Sequence, residues 1–295
     1  MELRVLHYFV AIVQAKNISK AAESLHVSQP ALSRQIKQLE DEVGQTLFER
    51  GHRQIHLTSA GYYLYQRATE ILDLVDKTKY KLAQPEIISG TLDLGAGESI
   101  GLQPIMDVIS QILHAYPDVH INLRSADSFG IEHKLDQGLL DFGIIMGEQS
   151  AKINDYNYFP LKSKNRWGVL MPADHPLTKK EKIQASDLLD QPLLMPLRIN
   201  QMNSLRVWAG SNLEHYQIVG TYNLTFNAAL LAHTGACLVL TYEGNANLET
   251  IGNLAFRPLA PALLDSNALI WKKDACLSPL SKLFLNLVKQ ANTES

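Results

Sequence analysis

The sequence predicts an α+β multidomain fold: a small helical head, one long helix, and a two-lobed α/β region. Three observations predict it. The 295 residues are about twice the usual length of one domain, the first residues show apolar side chains at helical spacing, and after Gly90 short strands alternate with helices. We expect domains over residues 1–58, 59–88 and 89–295. The third should contain one lobe of about 89–161 with 267–295, and another of about 162–266.

The composition is that of a soluble globular protein. Hydrophobic residues make up 46% and charged residues 19%, which excludes a disordered or collagenous chain. Cys237 and Cys276 are too few for a disulfide framework and belong to no zinc-binding pattern, so we expect a reducing cytoplasm, no metal and no cofactor. A redox switch between them stays open. The start lacks a signal-peptide pattern and no 18 apolar residues run together, so we expect no membrane partner.

Three short helices are expected in the head. Asn17 and Ser19 can cap the second helix, Ser28 can cap the third, and Pro30 falls in that helix's first turn. Gly44 is suited to the left-handed conformation that ends a helix, so the third helix should stop at about Val43. The first helix is indicated by apolar residues at spacings of three and four: Leu3, Leu6, Phe9, Val10 and Val13.

A short two-stranded wing and a long helix should follow. Between Leu47 and Leu57 apolar and polar residues alternate, with Gly51 at the tip. The long helix carries a narrow apolar seam, which is typical of helices that pair with a second helix, although packing within its own domain would give the same pattern. Pro85 and Gly90 close this helix. The seam consists of Leu64, Ala68, Ile71, Val75, Thr78 and Leu82.

The remaining 200 or so residues predict a mostly parallel sheet with helices on both faces. Ligands on such sheets bind at the carboxyl ends of the strands. The expected strands are Thr91–Ala96, Val119–Arg124, Phe142–Met146, Trp167–Met171, Leu193–Pro196, Ile218–Tyr222 and Cys237–Tyr242. The expected helices are Ile100–Tyr116, Gly130–Gly138, Asn203–Gly210, Ala228–His233 and Leu280–Val288.

The head is mildly basic although the whole chain has a net charge of −3. Residues 1–67 hold eight Lys and Arg against six acids, which permits nucleic-acid binding by the head alone. Two short helices joined by a tight turn, with alanines where they cross, are typical of a helix-turn-helix. The second helix would expose Gln29, Ser33, Arg34 and Lys37, whose polar tips can reach bases or phosphates in the major groove. Any surface helix shows polar residues outward, so the pattern alone leaves both interpretations open.

A dense sequence match supports the DNA-binding interpretation. The segment Ala21-Ala22-Glu23-Ser24-Leu25-His26-Val27-Ser28-Gln29-Pro30-Ala31-Leu32-Ser33-Arg34-Gln35-Ile36 strongly resembles the LysR-type transcriptional regulators. The resemblance extends through about residue 65 by way of Leu39-Glu40, Gly44, Leu47-Phe48, Arg50, Arg53 and Leu57-Thr58-Ser59-Ala60-Gly61. The remainder agrees in architecture and only loosely in sequence. The resemblance implies a winged helix-turn-helix, a dimerisation helix, and a two-lobed effector domain like the periplasmic binding proteins.

The resemblance also implies roles for residues of the head. By this resemblance the recognition helix would begin at Ser28. Bases would be contacted by Gln29, Pro30 and Arg34, and a phosphate by Ser33. Arg53 would lie in the wing beside or within the minor groove, where a guanidinium is favoured. Arg50 could instead contact the DNA backbone or pair with an acid such as Glu49 or Asp41.

The turn Gly97-Glu98-Ser99-Ile100-Gly101 has two interpretations. It is formally a G-x-S-x-G between a strand and a helix, as in hydrolases, with His233 a triad candidate on paper. The preceding strand is the first of the α/β region, however, and no oxyanion-loop motif is present. The same turn can hold an anion such as a carboxylate at a helix N-terminus, and in the resembled family it lines the effector cleft, with Ser99 at a matching hydroxyl position.

The other walls of the cleft follow from the resemblance more loosely. Ile100 lies in the same turn as Ser99. Ser128 and Phe129 look like the second wall of the cleft, and the other lobe would be supplied by Phe226, Asn227 and the turn Met195-Pro196-Leu197-Arg198. Each has an alternative role, since Ser99 and Ser128 are ordinary helix caps, Phe226 an ordinary core residue, and Arg198 an ordinary solvated arginine.

The sequence thus predicts a regulator and not an enzyme. We expect it to bind an inverted-repeat promoter site as a dimer or tetramer, to respond to a small-molecule effector such as a carboxylate, and to contact RNA polymerase if it activates transcription. The competing interpretation is a stand-alone hydrolase or binding protein whose N-terminal helices are structural.

Overall fold

The chain divides into two compact units, Met1–Pro85 and Glu86–Ser295. The structure is a computed structural model that describes residues 1–50, 55–83, 88–147, 153–197, 203–245 and 251–294. We call the first unit the head and the second the effector unit, and each is described by itself.

The head contains four helices and a two-stranded wing within its described residues. The helices are α1 (Leu3–Ala15), α2 (Ile18–Ser24), α3 (Gln29–Val43) and α4 (Ser59–Ala83). Strands β1 (Phe48–Arg50) and β2 (Ile55–Leu57) pair antiparallel. The expected tip, Gly51, lies outside the described residues.

Local chemistry sets the limits of the short helices. The Asn17 side chain accepts a hydrogen bond from the Lys20 backbone N–H at 3.0 Å, and Ser28 Oγ accepts one from Ala31 at 3.4 Å. Gly44 ends α3 with φ of 67°, a left-handed conformation that glycine adopts without steric cost. These caps are those expected from the sequence.

The core of the head joins all four helices. Fully buried Phe9, Ile12, Leu32 and Leu39 pack in one cluster with Ala68 of α4. The start of α4 is fixed against the wing, because a Cβ on Gly61 would come 2.1 Å from the Leu47 carbonyl oxygen. A side chain at position 61 would therefore separate α4 from the segment that leads into β1.

The effector unit is built on one mixed sheet. In the first half β3 (Gly90–Ala96) pairs in parallel with β4 (Val119–Ser125) and β5 (Phe142–Met146). In the second half β7 (Pro192–Pro196) pairs in parallel with β8 (Gln217–Tyr222) and β9 (Leu238–Tyr242). With β6 (Tyr156–Pro172), β10 (Leu254–Pro258) and β11 (Leu264–Lys272), the sheet order is β4-β3-β5-β11-β6-β9-β7-β8, and β10 pairs with β6.

Two strands cross between the halves. Strand β6 (Tyr156–Pro172) pairs antiparallel with β11 (Leu264–Lys272) up to Arg166, and with β9 from Trp167 onward. Strand β10 (Leu254–Pro258) pairs antiparallel with the end of β6. We call β6 and β11 the crossing strands.

The helices cover the sheet as expected, with small shifts of their ends. They are α5 (Gln103–Ala115), α6 (Ser128–Asp136), α7 (Asn203–Ala209), α8 (Thr225–His233) and α9 (Pro279–Glu294). One apolar cluster fills the space under α5 and α9 in the first half, and another lies around Trp167 in the second.

The expectation of a mostly parallel sheet is wrong for the crossing strands. The first half of β6, all of β10 and all of β11 were absent from the expected elements. Pro160 lies within β6 opposite Ala268, and proline argues against a strand in sequence-based reasoning. Polar Asp265, Ser266 and Asn267 likewise interrupt the apolar pattern of β11.

Candidate functional site

The outer face of α3 presents most of the residues predicted to bind DNA. Ser28, Gln29, Pro30, Arg34 and Lys37 are exposed and Ser33 is half-buried. The opposite face buries Leu32, Ile36 and Leu39 in the head's core. The helix is thus held by its apolar face while its polar face stays open to a partner.

Contacts within α3 organise this polar face. Gln29 Nε2 donates to Ser33 Oγ at 2.9 Å, and Lys37 forms an ion pair with Asp41 at 3.0 Å. Among the described residues, none forms a hydrogen bond or an ion pair with Arg34. Its guanidinium is therefore available for a bidentate contact with a base or phosphate. Arg53 lies outside the described residues, so its predicted position in the wing stays a prediction.

The predicted dimerisation seam on α4 is partly buried in the head's own core and partly exposed. Ala68 is fully buried in the head's own core and Leu64 is half-buried against it. Ala68 therefore offers no surface to a second chain, because its own unit already covers it. Ile71 is 37% exposed and Val75 is half-buried, and the side chain of Leu82 lies outside the described set. Pairing through Ile71 and its neighbours stays a prediction.

In the effector unit, Ser99 joins β3 to the crossing strands. Its Oγ accepts a hydrogen bond from the Gly101 backbone N–H at 2.9 Å and donates to Asn165 Oδ1 of β6. Asn165 Nδ2 donates to Asn267 Oδ1 at 2.6 Å, and Asn267 Nδ2 donates to Ser163 Oγ at 2.9 Å. Asn165 and Asn267 are buried. A chain of hydrogen-bonded polar groups therefore runs from the turn after β3 across both crossing strands.

A buried carboxylate lies beside this chain. Asp265 of β11 pairs directly with Asn165 across the strands, so both side chains share one face of the sheet. Asp265 Oδ2 accepts hydrogen bonds from Trp167 Nε1 at 2.7 Å and from the Tyr242 hydroxyl at 2.6 Å. Ser204 Oγ lies 3.4 Å from Asp265 Oδ1. Burial and the Asp265 carboxylate raise the pKa of Tyr242 well above its ordinary value.

Glu98 connects the two halves from the other side of Ser99. Its Oε2 accepts a hydrogen bond from the Thr225 backbone N–H at 3.2 Å, at the start of α8. Its carbonyl oxygen accepts one from Asn245 Nδ2 at 2.8 Å. Burial raises the pKa of Tyr222 to about 12, and the nearby Glu98 charge adds to the increase.

We call the region between Ser99 and α8 the cleft, floored by the polar groups of the crossing strands. Of the predicted effector residues, the structure brings Ser99 and Ile100 to it: a Cβ on Gly244 would lie 3.1 Å from Ile100 Cγ2. Phe226 and Asn227 directly follow Thr225 and are exposed. Arg198 lies outside the described residues.

The predicted wall at Ser128 and Phe129 opens α6. Asp127, not Ser128, caps this helix, since Asp127 Oδ1 accepts from the Gly130 N–H at 2.8 Å. The alternative role of Ser128 as a cap is therefore wrong, whereas Ser99 does cap its own turn. Phe129 is exposed and stacks on His133. No described contact links these two residues to Ser99.

Sequence reasoning missed four polar residues of the site, the half-buried Glu98 and the buried Asn165, Asp265 and Asn267. A signal existed for two of them, because Asp265 and Asn267 interrupt an otherwise apolar strand. Buried polar groups in such a run are kept where they hydrogen-bond one another. Which residue pairs with which depends on strands about a hundred positions apart.

The hydrolase interpretation would require a general base close to Ser99. His233 lies at the far end of α8 from Thr225 and its Nδ1 is 3.1 Å from the Gly252 carbonyl oxygen. Ser99 instead bonds to Asn165 and caps its own turn. A nucleophile needs a base within hydrogen-bond reach, and the described neighbours of Ser99 provide none.

Other chemistry is limited in the described part of the chain. Cys237 is buried, which raises the pKa of its thiol, and Cys276 is exposed. No group of three His, Cys, Asp or Glu side chains that could hold a metal occurs among the described residues. No described helix is both long and apolar enough to cross a membrane.

These features define a class of protein: a helix-turn-helix head and an α/β unit whose two sheet halves share the crossing strands, with polar groups between Ser99 and α8. Residues 3–62 match the family model "Bacterial regulatory helix-turn-helix protein, lysR family". Residues 86–293 match "LysR substrate binding domain". The chain belongs to the LysR family of bacterial transcriptional regulators.

Individual relatives agree with this assignment. The chain is 31% identical over 301 residues to the Hca operon transcriptional activator HcaR of Escherichia coli (strain K12), and the alignment covers 98% of each chain. It is 34% identical over 197 residues to a hydrogen peroxide-inducible genes activator of Dickeya chrysanthemi. That alignment covers 66% of this chain and 63% of the relative's length.

Solved structures show the same fold. The crystal structure of CbnR, a LysR family transcriptional regulator, matches with a TM-score of 0.70 over 99% of both chains at 20% identity. Full-length BenM matches with a TM-score of 0.55 at 26% identity, covering 100% of this chain and 97% of that one. The likeness to CbnR concerns the fold alone.

Proposed function

We propose that the protein is a transcription factor that binds an inverted-repeat promoter site as a dimer or tetramer and responds to a small-molecule effector in the cleft. Residues 1–58 bind DNA, residues 59–88 link and dimerise, and residues 89–295 form the effector domain. The protein is not an enzyme and acts in the cytoplasm. It contacts RNA polymerase if it activates transcription. The observation that carries this proposal is the exposed polar face of α3 with an unpaired Arg34 among the described residues.

The DNA contacts follow from the geometry of α3. Gln29, Pro30 and Arg34 lie at the exposed N-terminal part of the helix, the part that enters the major groove in helix-turn-helix proteins. Ser33 and Lys37 are placed one turn apart on the same side and serve phosphates. Ser28 fixes the N-terminus by capping, and Arg53 of the wing serves the minor groove.

The DNA proposal is tested with Arg34→Ala. Removing one base contact should weaken specific binding by about 1–3 kcal/mol while leaving the fold intact. Footprinting and anisotropy on DNA upstream of the protein's own gene, with a salt titration, measure this. Arg206→Ala, which removes an exposed arginine of the effector unit, is the matched control. An Arg34→Ala variant with an unchanged footprint would refute the assignment.

Association of two chains is supported by apolar surface in both units. In α4, Ile71 and Leu74 are exposed. In the effector unit the strands at the two ends of the sheet order, β4 and β8, expose Leu123 and Val219. Exposed apolar edge strands are usually covered by a partner.

Ile71→Glu tests the role of α4. A charge buried between two helices is costly, so the dimer should dissociate. Sedimentation velocity measures the association state, and Gln66→Glu, at an exposed position on another side of α4, adds the same charge as a control. An intact Ile71→Glu dimer would count against pairing through this helix.

The effector can act only through differential affinity. A ligand shifts a regulator between two arrangements only if it binds one of them more tightly. The cleft is suited to this because Glu98 and Ser99 of the first half contact Thr225, Asn245 and Asn165. A ligand that changes these contacts changes the relative placement of the halves.

A further inference from the structure

The N-terminus of α8 is occupied by a carboxylate of the protein itself. The first backbone N–H groups of a helix and its positive dipole end attract anions. Glu98 Oε2 accepts a hydrogen bond there, from the Thr225 N–H at 3.2 Å. The position at which a helix of the second half would hold a ligand carboxylate is therefore filled from within the chain.

Glu98 is anchored by its backbone as well as by its side chain. Its carbonyl oxygen accepts the hydrogen bond from Asn245 Nδ2 at 2.8 Å, and the same Nδ2 lies 3.5 Å from Thr225 Oγ1. Thr225 is only 3% exposed. A ligand carboxylate would have to lie beside this held negative charge, and like charges in a partly buried site repel strongly.

The described surroundings of the cleft do not neutralise this charge. Asp265, only 4% exposed, accepts hydrogen bonds from neutral donors: the Trp167 indole, the Tyr242 hydroxyl and Ser204. Lys164 and Arg166, the cations that flank Asn165 on β6, alternate to the face opposite Asn165, and Arg166 lies 3.8 Å from Glu243. Neither Glu98 nor Asp265 forms an ion pair with a described residue.

An unfilled acceptor lies next to Glu98. The buried Oδ1 atom of Asn245 has no hydrogen-bond donor among the described residues. An unsatisfied buried acceptor costs free energy that a donor group can recover. Because Asn245 Oδ1 has almost no accessible surface, Glu98 is the group that a ligand can reach, and its carboxylate favours a ligand that brings N–H donors and positive charge.

We propose that Glu98 determines the ligand class of the cleft: the effector presents a positively charged nitrogen, such as an amine or amidine, to the Glu98 carboxylate. A carboxylate at this position would be repelled by the Glu98 charge. The inference rests on the proposed role of the cleft and replaces the expectation of a carboxylate effector. The exposed apolar side chains of Ile100 and Phe226 beside Ser99 and Thr225 suit an apolar or aromatic body attached to that nitrogen.

Two probes of the same shape and opposite charge test the proposal. Benzamidine is a cation and benzoate an anion at neutral pH, and each is a benzene ring with a planar head group. Full-length protein is titrated with each probe while tryptophan fluorescence is followed, because Trp167 donates to Asp265 at the cleft floor. We expect saturable binding of benzamidine at least tenfold tighter than that of benzoate.

The Glu98→Gln variant tests whether ligand binding depends on the negative charge of residue 98 and not on its size. The variant keeps the length of the side chain and one acceptor oxygen, and it should weaken benzamidine binding at least tenfold. Glu243→Gln removes an exposed carboxylate paired with Arg166 and should leave binding within twofold. If circular dichroism shows that Glu98→Gln is unfolded, Glu98→Asp, which withdraws the carboxylate by one methylene group, replaces it with the same expected loss.

Three results would overturn the proposal: benzoate binding as tightly as benzamidine, neither probe binding, or benzamidine affinity that does not change in the Glu98 variant. None of them affects the DNA proposal, which is read from the Arg34→Ala footprint. A regulator that protects its promoter and prefers benzoate would retain the proposed function and reject only this ligand class.

Discussion

The two units place their polar groups in opposite environments. Helix α3 of the head exposes Gln29, Arg34 and Lys37 on a helix held by its apolar face. The effector unit instead buries Asn165, Asp265 and Asn267 on its crossing strands. An exposed side chain can be changed without leaving a neighbour unsatisfied, whereas a buried hydrogen-bonded one cannot. Substitutions in the head should therefore affect binding, and substitutions in the cleft floor should also affect stability.

The strongest test of this difference is Asn267→Ala. Asn267 is 0% exposed and bonds to Asn165 and Ser163, so its loss takes a partner from the buried Asn165 amide and from the half-buried Ser163 hydroxyl. We expect the free energy of unfolding to fall by about 2–4 kcal/mol. The chain's three tryptophans, Trp167, Trp208 and Trp271, all lie in the effector unit, so urea unfolding followed by tryptophan fluorescence reports that unit.

Asn227→Ala is the matched control, since Asn227 is an exposed asparagine of the same unit. It should change stability by less than about 0.5 kcal/mol. Equal effects of the two substitutions would remove the distinction between buried and exposed polar groups.

A smaller loss of the free energy of unfolding is expected at alkaline pH. Burial holds the pKa of Tyr222 at about 12, and burial with Asp265 raises that of Tyr242 well above its ordinary value. The unfolded chain releases both phenolic protons at about pH 10, whereas the folded chain still holds them at that pH. The stability from these tyrosines is present below about pH 10 and is lost as the pH rises, by up to about 1.4 kcal/mol per pH unit for each.

Urea unfolding between pH 9 and 11 measures this slope. Tyr222→Phe removes one of the two phenols and should make the fall of stability with pH shallower. A variant with the same slope as the natural chain would show that Tyr222 does not contribute.

The smallest effect on stability is expected for Lys37→Ala in the head. Lys37 and Asp41 form an exposed ion pair, which is worth about 0.5 kcal/mol or less. If Lys37 contacts a phosphate, the slope of log affinity against log salt should decrease by about one. Anisotropy over a salt series measures the slope, and Lys164→Ala in the effector unit should leave it unchanged. An unaltered slope for Lys37→Ala would remove this residue from the interface.

The difference between the head and the effector unit also explains which features the sequence predicts. The helices of the head depend on neighbouring residues, such as the caps Asn17 and Ser28 and the stop at Gly44, and these signals can be read locally. The parallel strands were predicted from their apolar runs. The cleft floor was not, because Asn165 and Asn267 are 102 positions apart and meet only through the pairing of β6 with β11. The contact between Glu98 and Thr225 spans 127 positions and has no local signature.

The length of β6 has a consequence for how the effector unit unfolds. Its 17 residues pair with β11 in the first half and with β9 and β10 in the second, so neither sheet half is a separable piece of chain. Melting one half would remove hydrogen-bond partners from a strand that the other half needs. The effector unit should therefore lose its structure in a single cooperative transition, with one calorimetric peak, even though its sheet has two halves.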